Sequence, residues 1–250
     1  SICSFNLAEV CNTTIALLKD ENADIKDTLI APDFAGGGII LYDESDIDGV
    51  YNTGRGSIKV RSKWNYVKED NVIEITEIPP TTTVEAIIDK VADLVKQGKI
   101  KEINDVRDET DLNGLKLTFD LKRGQDPEKF MRKLFRSTPL EDNFSANFNI
   151  LIGGSPRVMG IREILTEWTA YRMSCVKRRL YFDLKGKKDR LHLVKGLEAI
   201  LLDIDKAVNI VRSTEEEKDV VPNLMIGFGI DEIQAEYVAE IRLRQLNRNY

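Results

Sequence analysis

The amino-acid sequence predicts an α+β fold: a mixed module of hairpins and helices, then a long coiled-coil helix, then a small helical domain. Before residue 156, strands with period-two alternation and amphipathic helices follow each other without the regular βαβ order of a parallel sheet. From Ile161 to Arg212 a helical pattern continues without a proline. Beyond Arg212, acidic residues and Pro222 separate a short final helical region.

Length and composition indicate a globular protein with one large or two ordinary domains. Of the 250 residues, 42% are hydrophobic, which is enough to form real cores. Cys3, Cys11 and Cys175 match no C-x-x-C spacing, so neither a disulfide framework nor a zinc cluster is expected, and a reducing cytoplasm fits best. No apolar run approaches the roughly 20 residues that span a membrane. Because the sequence starts with Ser1 and ends inside an amphipathic run, we expect a piece of a longer polypeptide.

The first predicted helix covers residues 6–19. Asn6 and Glu9 resemble a capping box, in which a side-chain oxygen accepts hydrogen bonds from the first backbone N–H groups. A short second helix is expected at 24–29. The glycines at 36–38 predict a turn that leads into a buried strand at 39–41. No P-loop Lys-Ser/Thr pair follows these glycines, so a structural turn is favoured over a phosphate-binding loop.

A single strand that begins at Ser57 is predicted to hold three cations on one face. Lys59, Arg61 and Lys63 alternate there with apolar or small residues, and Arg55 lies just before them. Cations two residues apart on a strand are separated by roughly 7 Å, which approximates the phosphate spacing of a nucleic-acid strand. These cations are therefore candidate nucleic-acid contacts. A solvated outer face is the alternative that the pattern leaves open.

The rest of the mixed module is predicted from the same periodicities and from helix start and stop signals. Its elements are a hairpin strand at 72–78, a helix at 82–97 with a Thr82–Glu85 capping box, a strand at 115–121, a helix from Pro127 and a last strand at 147–152. The prolines at 79 and 80 end the hairpin strand, and Gly98 ends the helix at 82–97.

Residues 157–212 combine a basic beginning with a heptad pattern. From Arg157 to Arg190 ten cations stand against four carboxylates, a net charge of 10 − 4 = +6 in a chain whose net charge is −6. Apolar residues then recur at alternating steps of three and four, as in a helix that packs lengthwise on another helix. This heptad seam consists of Val194, Leu197, Leu201, Ile204, Val208 and Val211. We expect a polyanion as the partner of the basic part and a helix as the partner of the seam.

The final region is predicted to contain an apolar loop at 225–229 and a helix capped by Asp231. Tyr237, Leu243 and Leu246 are candidates either for a dimer contact or for the edge of a small core. His192, the only histidine, lacks partners at a spacing suited to metal binding or catalysis, and no catalytic motif is present. The residues alone therefore indicate a binding and scaffolding chain without catalytic or metal-binding residues.

The order of short motifs along the chain resembles the A subunit of bacterial type IIA DNA topoisomerases, gyrase and topoisomerase IV. The motifs are Pro32-Asp33-Phe34, Tyr51-Asn52-Thr53-Gly54-Arg55-Gly56, Glu77-Ile78-Pro79, Asp105-Val106-Arg107-Asp108-Glu109, Thr138-Pro139-Leu140, Gly154-Ser155-Pro156-Arg157, Arg178-Arg179, Asp189-Arg190-Leu191-His192, Gln234-Ala235 and Arg242-Leu243-Arg244-Gln245-Leu246. No single motif would suffice, but together they span nearly the whole chain in one order.

The resemblance implies a domain organisation and a set of partners. Residues 1–28 would be the tail of the DNA-breakage core, 29–156 the tower domain, 157–212 a long coiled-coil arm helix and 213–250 part of the exit-gate dimerisation domain. Enzymes of this kind cut both strands of one duplex, pass another duplex through and reseal the cut. Because the partner B subunit hydrolyses ATP and holds Mg²⁺, no cofactor site is expected in this chain. The expected partners are double-stranded DNA, the B subunit, and a second copy of this chain in a homodimer; no membrane is expected.

The resemblance also implies roles for individual residues. Ile2 lies four positions before Asn6-Leu7, as does the family's isoleucine that wedges between base pairs and bends the duplex. The expected DNA-binding residues are Ile2, Arg55, Lys59, Arg61, Lys63 and Arg157, and the expected gate residues are Tyr237, Leu243 and Leu246. The family's nucleophile is a tyrosine that follows an arginine. No tyrosine of this chain has that context, so the chain alone is predicted not to cleave DNA.

Two other function classes remain as alternatives to the topoisomerase fragment. A non-enzymatic architectural protein would bind nucleic acid with its basic arm and dimerise through its heptads. A purely structural coiled-coil scaffold would show no salt-dependent DNA binding. The seam from Val194 to Val211 is expected to be buried against another copy of the chain or against a neighbouring molecule in a crystal.

Overall fold

The computed structural model describes residues 1–246, except for the side chain of Leu243, and it forms two compact units, residues 1–170 and 171–250. The helices are α1 (Leu7–Lys19), α2 (Glu44–Thr53), α3 (Val84–Lys96), α4 (Pro127–Ser137), α5 (Ile161–Leu201), α6 (Ile204–Ser213), α7 (Val220–Phe228) and α8 (Glu232–Ala239). The strands are β1 (Ile39–Ile40), β2 (Arg55–Arg61), β3 (Lys63–Val67), β4 (Val72–Glu77), β5 (Ile103–Asp108), β6 (Leu117–Leu121), β7 (Glu141–Asn147), β8 (Asn149–Ile152) and β9 (Ser155–Val158). Every pair of these strands is antiparallel, which confirms the α+β class.

A three-stranded sheet in the order β1-β2-β7 organises the first core of the first unit. Its inner side packs with α1, α2 and the start of α5 through buried apolar residues, among them Ile47, Val50, Ile58 and Phe148. Gly54 ends α2 in the left-handed conformation, at φ 75°, and its N–H donates to the Val50 carbonyl oxygen. A Cβ atom at this position would collide with the Met159 carbonyl, so both the backbone and the space require glycine.

A four-stranded sheet in the order β3-β4-β6-β5 forms the second core of this unit, with α3 and α4 on it. The largest fully buried side chain here is Phe119. The centre of its ring lies 6.1 Å from the centre of the Phe130 ring, in an edge-to-face arrangement. All of this second core lies within residues 62–140, between two strands that pair directly with each other, since Arg61 stands opposite Glu141 in the β2–β7 register. The Ser62 N–H donates to the Leu140 carbonyl oxygen at 2.8 Å. The second core is therefore an insertion whose two ends lie side by side.

The second unit has a small core formed by α5, α6, α7 and α8. Its buried apolar residues are Ile200, Ala207, Leu224, Ala235 and Val238. Asp231 and Gln234 form a complete capping box at the start of α8. Gln234 also donates from Nε2 to the His192 carbonyl oxygen at 2.8 Å, and His192 Nε2 lies 2.5 Å from Asp231 Oδ2. His192 therefore ties α5 to the cap of α8.

The prediction of one uninterrupted helix from Ile161 to Arg212 is confirmed at its start and wrong beyond Leu201. Residues up to Val158 belong to the β8–β9 hairpin, α5 runs from Ile161 to Leu201, and α6 follows as a separate helix. Asp203 is the cause of the break, because its side chain accepts from the Lys206 N–H at 3.1 Å and so starts a new helix. The heptad seam is consequently divided between α5 and α6, and Val194, Leu201, Val208 and Val211 are exposed.

The prediction of one strand from Ser57 through Lys63 is also wrong. β2 ends at Arg61 and β3 begins at Lys63 in the other sheet. Ser62 between them is completely buried and bonds to Leu140 rather than continuing either ladder. The sequence alternation continues across Ser62, which is why it concealed the change of sheet.

Several other elements differ from the sequence-based expectations. The strand expected to be buried at 39–41 is the two-residue β1, in which Ile39 is exposed. The apolar loop expected at 225–229 is the end of α7, whose first turn holds Pro222, where a missing N–H costs no helical bond. The last predicted helix ends at Ala239, and a 3-10 turn, Leu243–Leu246, follows. Helix α2 and strands β5, β7 and β9 were not predicted.

Candidate nucleic-acid interface

One side of the β1-β2-β7 sheet is polar and faces solvent. Along β2, Ile58 and Val60 are buried, whereas Arg55, Ser57 and Lys59 are exposed. Residues directly opposite each other in an antiparallel pair project to the same side, so the β7 partners of the exposed residues share their face. We call this surface the polar sheet face, and it consists of Arg55, Ser57, Lys59, Arg61, Glu141, Asn143, Ser145 and Asn147.

The residues that β7 contributes to this face were missed in the sequence. Asn143, Ser145 and Asn147 are exposed and alternate with Phe144 and Ala146, which point into the core. This polar–apolar alternation is a strand signal that the sequence does contain. Asparagine and serine side chains donate hydrogen bonds to phosphate oxygens without reading bases, which suits a backbone-contacting surface.

Arg61 has a structural role on the polar sheet face. Its Nε and Nη2 lie 2.7 Å and 2.6 Å from Glu141 Oε2, and its guanidinium stacks 4.5 Å from the centre of the Phe135 ring. The Lys59 ammonium lies 4.0 Å from the other oxygen of Glu141. Glu141 therefore compensates the charge of Arg61 and reduces that of Lys59, so the cations fully available to an anion on this face are fewer than the sequence suggested.

Lys63 does not join the other predicted cations. It lies on β3 in the second sheet, where its ammonium is 3.8 Å from Glu77 Oε1. The other oxygen of Glu77 accepts from the Gly38 N–H at 2.7 Å. The expectation of three cations along one strand face is therefore wrong, because the chain changes sheets at Ser62.

Ile2 projects from a segment that is held at both ends. The Ser1 carbonyl accepts from the Asn147 N–H at 2.7 Å, and Ser4 exchanges two hydrogen bonds with the backbone of Asp33, at 2.9 and 2.8 Å. Cys3 is buried, and Ile2 is 49% exposed. The Asn147 that bonds Ser1 also stands opposite Arg55 in the β2–β7 register. Ile2 is thus an exposed apolar side chain at the Arg55 end of the polar sheet face.

Arg157 lies outside the polar sheet face. It is exposed on β9, opposite Ile150 in the β8–β9 hairpin. Phe148 links the two strand pairs, because its N–H donates to the Gly54 carbonyl oxygen at 2.7 Å and its own carbonyl accepts from the Met159 N–H. The hairpin that carries Arg157 therefore continues directly from β7, beyond the end at which Arg55 lies.

The basic part of α5 contains two arginines with structural contacts. Arg162 donates to the backbone carbonyls of Glu21 and Ala23, the latter at 2.6 Å, and so binds the start of α5 to the segment after α1. Arg190 donates to the Tyr237 hydroxyl at 3.1 Å and stacks on its ring at 5.5 Å. Between them, the cations from Arg172 to Lys188 are all solvent-exposed.

The proposed gate residues lie in the second unit. Tyr237 is half-buried on α8 against Arg190, within its own chain. Leu246 is half-buried and lines an apolar groove of about 300 Å³ together with Ile204 and Val208. Leu243 lies outside the described side chains. Their role in a dimer gate stays a prediction.

Each tyrosine discussed below is either buried, bonded within the fold or exposed to solvent. Burial raises the pKa of Tyr51 well above its usual value, and the Tyr66 hydroxyl donates to Asn71 Oδ1 at 2.9 Å. Tyr42, Tyr171 and Tyr181 are exposed. Tyr250 lies outside the described residues. Within residues 1–246, no three histidine, cysteine or acidic side chains come together as a metal site, and no helix is long and apolar enough to cross a bilayer.

The sequence has clear relatives. It is 36% identical to the DNA gyrase A subunit of Borreliella burgdorferi over 96% of this chain and 30% of that protein. It is also 36% identical to the DNA gyrase A subunit of Ureaplasma parvum, over 96% of this chain and 29% of the relative. The chloroplastic/mitochondrial DNA gyrase A subunit of Arabidopsis thaliana is 34% identical over 96% of this chain and 26% of its own length. The chain therefore spans less than a third of the relatives it matches.

The family of DNA gyrase/topoisomerase IV A subunits matches the chain over residues 1–250. The whole matched length agrees with the order of motifs from Pro32 to Leu246, so the resemblance is confirmed. The domain limits 1–28, 29–156, 157–212 and 213–250 that the resemblance implied stay predictions. Its motifs, its relatives and the family match together show that this chain belongs to the family of DNA gyrase/topoisomerase IV A subunits.

Proposed function

We propose that this chain is the part of a type IIA DNA topoisomerase A subunit that supports and bends the duplex to be cut. The observation that carries the proposal is the polar sheet face, an exposed array of cations, asparagines and serines with an apolar side chain, Ile2, at one end. Such a surface suits a phosphodiester backbone, since most protein contacts to phosphate come from these side chains.

The contacts to phosphate would come mainly from Arg55 and Lys59. These two exposed cations are four residues apart on β2, roughly 13 Å, and can therefore reach different phosphates of one strand. The amides of Asn143 and Asn147 are positioned opposite them as neutral donors. Arg61, whose charge Glu141 compensates, would hold the face together rather than bind DNA.

Ile2 is the candidate for bending. An apolar side chain that inserts between base pairs unstacks them at a cost of a few kcal/mol, and the bend allows the duplex to contact more protein. Insertion needs a side chain that stays exposed while its backbone is fixed. The hydrogen bonds of Ser1 with Asn147 and of Ser4 with Asp33 provide that fixation.

The proposal extends to the activity of the whole protein. The parent enzyme would cut one duplex, pass another through it and reseal it. A B subunit would supply ATP hydrolysis and Mg²⁺, and a second copy of this chain would meet the first at the gate that includes Tyr237 and Leu246. Because none of the tyrosines follows an arginine, this chain alone would not cleave DNA. The cytoplasm is the expected location.

DNA binding tests the role of the polar sheet face. We expect the variant Arg55→Gln/Lys59→Gln to lose two phosphate contacts, so that the slope of log affinity against log salt becomes less negative by about 1.8. The control is Lys90→Gln/Lys96→Gln, which removes two exposed cations from α3. Fluorescence anisotropy with a labelled duplex measures both. Equal slopes for the two variants would contradict the proposal.

The two remaining parts of the proposal have separate tests. Ile2→Ala should reduce the bend of a duplex labelled at both ends, measured by energy transfer, while leaving the salt slope unchanged. An unchanged bend would exclude Ile2 as the wedge. Incubation of the chain with DNA, followed by denaturing electrophoresis, should show no covalent 5′-phosphotyrosyl adduct; an adduct would show that one of these tyrosines is a nucleophile.

A further inference from the structure

Helix α4 presents a second basic surface in the first unit. Lys129, Arg132, Lys133 and Arg136 occur at positions i, i+3, i+4 and i+7, which places all four on one side of the helix. The opposite side packs into the second core through buried residues such as Phe130 and Leu134. The four cations line one cleft of about 620 Å³.

Within residues 1–246, one of these four cations has a carboxylate partner. The Lys133 ammonium lies 2.6 Å from Glu102 Oε1. Partial burial would raise the pKa of Glu102, but hydrogen bonds from Lys133 and from the Lys101 N–H hold it below its usual value. Lys129, Arg132 and Arg136 are exposed, and none of them forms an ion pair within residues 1–246. We call these three residues the α4 cations.

The other carboxylate of the cleft is also engaged. Asp126 is the N-cap of α4, and its Oδ1 accepts from the Glu128 N–H at 3.0 Å. It stabilises the helix start and lies at the far end of the helix from Arg136. The charge left without compensation along α4 is therefore positive. Like charges three and four residues apart repel each other and destabilise a helix, and an external anion would remove that repulsion.

The α4 cations continue the polar sheet face. Phe135 on α4 stacks under the guanidinium of Arg61, which is the last residue of β2. Arg136 follows Phe135 directly. The face extends roughly 20 Å from Arg55 to Arg61, and the α4 cations cover roughly 10 Å along their helix, so each surface is long enough to reach more than one phosphate.

We propose that the α4 cations bind the phosphodiester backbone of the same duplex, beyond the polar sheet face; this rests on the proposed function. A linear polyanion fits better than a single phosphate group. Three exposed cations spaced 5–6 Å apart can each contact a different phosphate. A site for one phosphate at the start of α4 would need free backbone N–H groups, but the Glu128 N–H is already bonded to Asp126.

The test compares the full chain with two triple variants. Lys129→Gln/Arg132→Gln/Arg136→Gln removes the α4 cations. Its matched control, Lys68→Gln/Lys90→Gln/Lys96→Gln, removes three exposed cations from other surfaces of the same unit. Circular dichroism checks that both variants are folded. Anisotropy with a duplex of about 30 base pairs, from about 50 to 300 mM salt, measures the slope of log affinity against log salt.

The loss of three phosphate contacts should make the slope less negative by about 2.7 and weaken binding by between two and three powers of ten near 0.1 M salt. The Lys68/Lys90/Lys96 control should keep most of the salt slope of the unaltered chain. An α4 variant with the slope of its control overturns the inference, even where the Arg55/Lys59 variant still shows its effect and the proposed function stands. Absence of salt-dependent binding by the unaltered chain would overturn both.

A second arm distinguishes a duplex from a small anion. Inorganic phosphate or pyrophosphate at millimolar concentration, held at constant ionic strength, should displace little DNA from the unaltered chain. Displacement that disappears in the α4 variant would show a small-anion site and would overturn the proposed polyanion contact.

Discussion

Glu141→Gln is expected to strengthen DNA binding while weakening the fold. Glu141 is the only carboxylate on the polar sheet face, and it binds Arg61 through two nitrogens at 2.6–2.7 Å and approaches Lys59 at 4.0 Å. Glutamine has nearly the same shape and keeps an acceptor oxygen, but it carries no charge. The substitution therefore makes the charge of both cations available to phosphate.

The expected magnitudes follow from these contacts. If the change adds one phosphate contact, the salt slope becomes more negative by about 0.9, which corresponds to roughly eightfold tighter binding near 0.1 M salt. The Glu141 side chain is 17% exposed and that of Arg61 37%, so their charged hydrogen bonds are partly screened. Their loss should cost about 1–2 kcal/mol of the free energy of unfolding of the first unit.

Anisotropy titrations and urea unfolding measure the two effects. Glu74→Gln on β4 is the matched control, because Glu74 pairs with Lys116 at 3.0 Å in the other sheet and its substitution changes the net charge equally. It should lower stability and leave the affinity for DNA nearly unchanged. If Glu141→Gln bound DNA no more tightly than Glu74→Gln, the polar sheet face would not be the contact surface.

Three further predictions concern stability and reactivity. Phe119→Ala should lower the free energy of unfolding by about 3–5 kcal/mol in urea, because Phe119 is fully buried; a loss below about 1 kcal/mol would contradict the core assignment. The hydrogen bond from the Gln234 N–H lowers the pKa of the Asp231 carboxyl. The stability that the charged carboxylate contributes is therefore present above the pKa of the unfolded state, near 3.9, and is lost as the pH falls below about 4. Asp231→Asn should therefore reduce the difference in urea stability of the second unit between pH 7 and pH 3, and an unchanged difference would refute this. Burial raises the pKa of Cys3 to about 11, so iodoacetamide near pH 8 should alkylate the exposed Cys11 first, as peptide mass spectrometry can test; equal rates would show that Cys3 is accessible.

The elements that the sequence predicted well are those whose limits depend on local interactions. Asn6 caps α1 as expected, with Oδ1 accepting from the Ala8 and Glu9 N–H groups at 3.0 and 3.3 Å. Asp126 and Pro127 define the start of α4, and Gly98 follows the end of α3 at φ 70°. Such caps depend on residues within one turn, so the sequence alone reveals them.

The elements that were missed depend on distant residues. β5 carries three charged residues and has no buried residue, and its strand conformation results from pairing with β6, as in Arg107 opposite Thr118. The polar sheet face could be predicted only in part, since β2 shows its cations but the opposing amides come from residues more than 80 positions later. The sequence contains the α6 cap, Asp203, but the heptad steps continue across it and favour one uninterrupted helix.

The adjacent ends of the insertion at residues 62–140 have a consequence for how the first unit folds. Before β2 and β7 can pair, the chain between Arg61 and Glu141 must close a loop of about 80 residues, which costs about 4 kcal/mol of chain entropy beyond a constant term. If the insertion folds first, the hydrogen bond between Ser62 and Leu140 has already brought both strands together. The pairing of β2 with β7 would then begin as a hairpin whose tip is the folded insertion. A substitution in the insertion, such as Phe119→Ala, would delay the assembly of the polar sheet face, although Phe119 is not part of that face.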